Sequence, residues 1–206
     1  MPRKSSSKPS AGESSEKWYQ LKITLCNSEP PIWRQIVVPD CTLENLHIAI
    51  QDAMGWEDCH MHDFEIGKQR FMGCTPMGEF IDSGWGDLDA SEYWLSDLIK
   101  RARTKILYNY DFGDDWYHDV VVEKIFSSEP ELPVVKKKQL VTCIAGEGAC
   151  PPEDCGGIWD YSNMLEILQD PKHPEHENMK EWHGDIDPLA FDLAATNKRL
   201  AKIKRG

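Results

Sequence analysis

Tyr19, Leu21, Ile23 and Leu25 alternate with Gln20, Lys22 and Thr24, a period of two that predicts a half-buried strand. Pro30-Pro31 interrupts it, and Ile32 to Val38, closed by Pro39, reads as its hairpin partner. The period then changes. Leu43, Leu46, His47, Ile50, Ala53 and Met54 form one stripe at helical spacing, with Thr42 placed to cap the start and Gly55 the end. His47 lies on that apolar stripe, so a hydrogen-bonded core histidine is expected there rather than a ligand. His60, His62, Phe64 and Ile66 share one face of a further strand. Residues 67–88, rich in Gly and acidic side chains, read as a long loop with room for an irregular hairpin. Asp89, with Glu92 three positions on, resembles a capping box that opens a short helix to about Ile99.

The clearest hairpin follows. Ile106, Tyr108 and Tyr110 alternate on one strand and His118, Val120 and Val122 on the next, with Tyr117, Val121 and Ile125 on the opposite face. Gly113-Asp114-Asp115 supplies the turn chemistry between them. Residues 127–139 read as a polar linker around Pro130 and Pro133. Four Gly and two Pro between Val141 and Gly157 argue against any regular element there. Asp160 is placed to cap a helix carrying Met164, Leu165 and Leu168, Pro174 to open a short helix ending at Gly184, and Asp187-Pro188 to start the last helix. There is no internal repeat. Strands dominate the first part and helices the last, which predicts an α+β class: a compact single domain, its mostly antiparallel sheet packed by helices, with a helical C-terminal part. The expected organisation is a disordered leader over 1–17, the domain over 18–200 and a basic tail over 201–206.

Composition sharpens this picture. The 206 residues are 40% hydrophobic and 10% aromatic, with eight Trp, enough for a sizeable core and incompatible with wholesale disorder. The net charge of −12 is uneven: residues 18–197 carry a net −19, whereas both ends are basic. An acidic body excludes a large nucleic-acid-binding face, because phosphate binding is driven by Lys and Arg. The run Lys198, Arg199, Lys202, Lys204, Arg205 reads either as a solvated helix end or as a small contact for nucleic acid or another acidic partner. No segment approaches the roughly 18 apolar residues of a membrane span, and Met1 to Glu16 has no apolar core of a secretory signal. A cytoplasmic location is expected, and there the seven Cys, an odd number, read as reduced thiols or metal ligands rather than a disulfide framework.

The chemistry-bearing positions gather in three stretches. Cys150 and Cys155 have four residues between them, within the spacing of zinc ligands, and Cys143 precedes them. Pro151-Pro152 would stiffen that approach. His118 is the expected fourth ligand, with His60 or His62 as alternatives, and zinc as the expected ion. The pair His60-x-His62, with Asp63 beside it, has the geometry of a chelate on one strand face, or of surface polar decoration. Asp111 to His118 is dense in functional groups. Its carboxylates could bind a cation or act as acid and base, Asp114 being the catalytic candidate there, or could simply shape a turn beside Trp116. Glu153, the second catalytic candidate, and Asp154 share that ambiguity. The chain has no GxxxxGK[ST], GxGxxG after a strand, GxSxG or HExxH, so mononucleotide, dinucleotide, serine-hydrolase and zincin readings lack sequence support.

Tyr108-Asn-Tyr-Asp-Phe-Gly-Asp-Asp-Trp-Tyr-His118, Gly146-Glu-Gly-Ala-Cys-Pro-Pro-Glu-Asp-Cys-Gly-Gly157 and Asp170-Pro-Lys-His-Pro-Glu-His176 closely resemble the plasmid pRi Orf-three-like family. Pro31-Ile-Trp-Arg34, the helix from Leu43 to Trp56, His60-x-His62-x-Phe64 and Phe191-Asp-Leu193 with Asn197 match its pattern too, so the resemblance spans roughly residues 18–200. It implies a compact α+β domain of unknown function, found in plasmids, mobile elements and prokaryotic chromosomes, some members carrying a transposon-passenger, TnpR-like label. No recombinase active-site pattern is present. The family's recurring polar residues map onto His60, His62, Asp111, Asp114, His118, Cys150, Glu153 and Asp154, which implies one shared pocket; Cys155 is less fixed in the family pattern than Cys150. The expected function is an accessory domain that binds a protein or small-molecule partner, with a structural metal. The alternatives are a metal-assisted hydrolase acting on a phosphate or nucleotide-like substrate, with Asp114 or Glu153 as base, and a nucleic-acid accessory protein using the basic ends.

Overall fold

The computed structural model describes residues 17–75, 79, 87–134, 139–184 and 186–204. The leader over 1–16, the middle of the Gly-rich stretch and residues 205–206 lie outside them. Alternation drives the centre of the sheet. β1 (Trp18–Leu25) pairs antiparallel with β2 (Trp33–Pro39) on one side and with β7 (Trp116–Phe126) on the other. β6 (Lys105–Tyr110) pairs with β7 as the expected hairpin and with β3 (His62–Ile66) on its far edge. β4 (Gln69–Met72) returns from β3 after the two-residue turn Gly67-Lys68, Gly67 taking φ +65°. β5 (Leu88–Asp89) adds a short parallel edge, and β8 (Thr142–Glu147) closes the other edge against β2. The sheet order is β5-β4-β3-β6-β7-β1-β2-β8, antiparallel except at β4–β5.

α1 (Leu43–Met54) lays Leu43, Leu46, Ile50 and Ala53 into the core formed with Leu21, Ile23, Ile36, Val120 and Tyr108. Thr42 accepts from Asn45 N–H, and Gly55 ends the helix at φ +117°. The helix has no basic residue in its own last turn, and two arginines from elsewhere serve that end. Buried Arg34 donates to Ala53 O at 3.1 Å and also to the carbonyls of Trp33, Glu147 and Gly148. Arg199 donates to Asp52 O at 2.8 Å. One member of the C-terminal basic run is therefore a structural clamp.

Several expectations are corrected. The stretch 142–147 is not loop but β8. Its glycine is a packing device: a Cβ at Gly146 would meet the Phe191 ring at 2.6 Å, and that ring stacks on Arg34. The start of the Gly-rich stretch holds the hairpin for which the loop reading left room, with Gln69–Met72 returning against β3. Asp89 caps only a single 3₁₀ turn over Ala90–Glu92, and α2 (Leu95–Leu98) starts separately after Tyr93 and Trp94. Ile125 sits on the core side opposite Tyr19, because a bulge at Glu123 shifts the register by one. α3 (Gly157–Gln169) begins before Asp160, and α4 (His176–His183) starts two residues after Pro174 while ending at Gly184 as expected. Asp187-Pro188 makes a turn, and it is Asp192 that caps α5 (Leu193–Leu200), accepting from Ala194 and Ala195 N–H.

Candidate metal centre

Three segments far apart in sequence meet at one end of the sheet. The first leaves α1 through Trp56 and reaches β3 by way of Cys59 and His60. Asp58 takes φ +56° on this path. The second is the turn after β6. Tyr110 lies opposite His62 in the sheet, Asp111 N–H donates to Met61 O, and Asp111 takes φ +57° as its carboxylate accepts from Gly113 N–H. The third is the proline-stiffened stretch after β8, pinned by Trp56 Nε1–H on Pro151 O at 3.2 Å. Asp154 there takes φ +53°. Left-handed backbone at three aspartates around one spot is where Asp tolerates it best and where strain concentrates at working sites.

His60 stands in the middle. Its Nε2 lies 3.2 Å from Asp154 Oδ1, 3.7 Å from Asp111 Oδ2 and 3.9 Å from Glu153 Oε2. Asp111 and Glu153 are largely covered, whereas the Asp154 side chain is 74% exposed, so the cluster opens to solvent on that side. Glu153 Oε1 accepts from Glu57 N–H at 2.8 Å and from Tyr110 OH at 3.1 Å. Glu153 Oε2 and His60 Nε2 are shut off from water without a hydrogen-bond partner. Burial pushes the Glu153 carboxyl above its ordinary value, against the Glu57 N–H, the Tyr110 hydroxyl and the nearby His60, which favour the anion. Burial likewise raises the Cys59 thiol and the Tyr110 phenol, which lie 3.7 Å apart. Ligand-type atoms converge within 4.8 Å in two overlapping triads, Cys59–His60–Glu153 and His60–Asp111–Asp154.

The sequence profile of the plasmid pRiA4b ORF-3-like protein family matches residues 17–196. The chain belongs to this family. It is 36% identical over 183 residues to the uncharacterized protein y4hQ of Sinorhizobium fredii, covering 86% of this chain and 85% of that protein. It also resembles the crystal structure of MM3350, a protein of unknown function from Methanosarcina mazei Go1, with 37% identity and a TM-score of 0.73 over 87% of this chain and 97% of that one.

In this pRiA4b ORF-3-like chain the expected thiol–imidazole set does not assemble. His118 and Cys143 both point into the core, but β1 and β2 separate their strands, and their register positions differ by four residues, Leu25 against Leu21. Strand spacing and rise put them roughly 14 Å apart across the sheet and 13 Å along it. Cys143 Sγ donates to Ala145 O, and burial pushes that thiol up to about 11. Burial also raises Cys150, which lies near Arg34 and Arg199, and takes Cys155 up to about 12. Trp116 is fully buried and serves the core. Asp114 accepts from Gly156 N–H, tying the β6–β7 turn to the start of α3.

His62 is not a partner of His60. It is buried and stacked on His47, ring centroids 3.4 Å apart and planes 1° apart, with Glu44 Oε2 at 3.5 Å. Gly73 makes room for it, since a Cβ there would fall 2.0 Å from His62 Nε2. His47 is hydrogen-bonded in the core as its stripe position implies: Nε2 lies 2.6 Å from Asp58 Oδ1 and Nδ1 2.8 Å from Tyr108 OH. Sequence reasoning missed Cys59 and Tyr110. Cys59 directly precedes His60, and Tyr110 directly precedes Asp111, so adjacency to a candidate was the signal available.

Proposed function

We propose that this chain is an accessory binding domain that holds a divalent cation between His60, Asp111 and Asp154, with Glu153 beside the ring. The observation that carries the reading is the His60 imidazole with three carboxylates around one ring nitrogen, two of them largely covered. One imidazole among carboxylates suits Zn²⁺ or Mn²⁺ better than a thiolate-selecting ion. A cation there would also satisfy His60 Nε2, a buried atom that has no hydrogen-bond partner. The test is calorimetric titration of chelator-treated protein with ZnCl₂ and with MnCl₂, alongside thermal melts. One ion should bind per chain and raise the Tm, and His60→Ala and Asp111→Asn should abolish both effects. Absence of binding by the wild-type protein, or binding untouched by either change, refutes the site.

The exposure of Asp154 favours a second reading, a metal-assisted hydrolase. A ligand set open on one side would let water reach a bound ion, which would lower that water's pKa, and Glu153 would be the base that takes the proton. Asp114 is a poorer base, being engaged by Gly156 N–H. Metal-dependent release of phosphate from simple phosphoesters, lost in Glu153→Gln, would support this reading. Equal turnover by the variant would remove Glu153 from that role.

A further inference from the structure

The β6–β7 turn also lines a groove that the metal reading does not use. It has a volume of about 290 Å³ and runs between the end of β1, the Asp114–Tyr117 segment and the first turn of α3. Its walls are aromatic and acidic: Tyr117 is 40% exposed, Trp159 82%, and Asp114 and Asp115 line the same space. Among the described residues none that lines it is basic, and Arg70, the cation near Tyr117, is paired with Asp63. The groove is built rather than incidental. Gly156 N–H donates to Asp114, and a Cβ at Gly157 would meet Asp114 O at 2.4 Å, so the glycines let the turn and the helix start close against each other. The positive end of α3 would oppose a cation, but Asp114 on Gly156 N–H and Asp160 in the first helical turn offset it.

We propose that this groove docks a polypeptide partner by taking one of its lysine or arginine side chains. Size and charge select that occupant. The volume is at the bottom of the range for small-molecule sites and suits one long side chain. Aromatic faces attract a cation, carboxylates neutralise it, and the strongly acidic body steers basic segments towards the site. Trp and Tyr dominate the anchor points of interfaces, and here exposed Trp159 stands beside half-exposed Tyr117 along one groove.

The experiment measures binding of a fluorescent capped decapeptide of alternating arginine and glycine, with a glutamate–glycine peptide as control, near physiological salt. The arginine peptide should bind and the glutamate peptide should not. Trp159→Ala and Asp115→Asn should each weaken binding at least fivefold with the melting temperature unchanged. Glu181→Gln, which removes the same charge from exposed α4, should change it less than twofold. No binding by the wild-type chain overturns the proposal. So does an equal loss in Glu181→Gln, which would mean general attraction to an acidic protein, or full binding by Trp159→Ala. None of these results depends on whether His60 holds a metal.

Discussion

Replacing His118 with phenylalanine should flatten the acid limb of this protein's stability curve. His118 is fully buried on β7, packed against Trp56 and Tyr108 at ring-centroid distances of 5.2 and 5.3 Å. Neither ring nitrogen has a hydrogen-bond partner. The carbonyls of Tyr108 and Trp116 lie near enough to favour the charged ring, but burial outweighs them and pulls the pKa from 6.5 to about 4. The unfolded chain therefore binds a proton here that the folded chain refuses, and stability falls as the pH drops from 6.5 towards 4. A difference of that size is worth roughly 3 kcal/mol in full, and about 2.5 kcal/mol of it is already lost by about pH 4.5. Above pH 6.5 the contribution is complete. Phenylalanine removes no hydrogen bond but is somewhat larger, so at neutral pH the variant should lose about 1–3 kcal/mol to overpacking, a cost that does not depend on pH. Urea unfolding followed by tryptophan fluorescence, at neutral pH and at about pH 4.5 in matched ionic strength, gives both values. Every other ionisable group is common to both proteins, so the difference between the two pH slopes isolates His118. Parallel curves would refute the assignment of a neutral, unpartnered imidazole in the core.

Arg34→Met should cost roughly 3 kcal/mol or more, because Ala53, Glu147 and Gly148 carbonyls lose their donor, and should lower the Tm by about 10 °C in a calorimeter. Arg34→Lys should rescue little, since a single ammonium cannot reproduce the guanidinium fork, and a melt within 2 °C of wild type for either variant would show that water replaces the side chain. Asn197 bridges α5 to β8, accepting from Cys143 N–H at 3.0 Å and donating to Cys143 O at 2.8 Å and Leu193 O at 3.0 Å. Asn197→Ala should destabilise by about 2–4 kcal/mol. It should also speed amide exchange at Cys143, and unchanged exchange there would show that the side chain does not guard this edge.

The amino-acid order alone carried the elements whose signals are local. Alternation in β1, β2, β6 and β7 marks strands with one face in the core, and the stripe, the Thr42 cap and Gly55 mark α1 from end to end. The turn between β6 and β7 is written in Asp and Gly. Family membership was equally legible, because the motifs that carry it are runs of adjacent residues. Other features depend on what a segment packs against. The 142–147 stretch is a strand because β2 offers a free edge, Phe191 fills the space over Gly146, and Asn197 takes both backbone groups of Cys143. No local pattern encodes those partners. Strand order decided the site as well. With β1 and β2 lying between β7 and β8, the histidine of one and the thiol of the other cannot meet. The pairing of β3 with β6 instead carries His60 beside Asp111, and the tie from Trp56 to Pro151 brings Glu153 and Asp154 to them. A sequence states which groups a chain owns. Which of them share a dielectric and a few ångströms is set by long-range pairing, whose register comes from the burial of whole faces rather than from the residues that end up in the site.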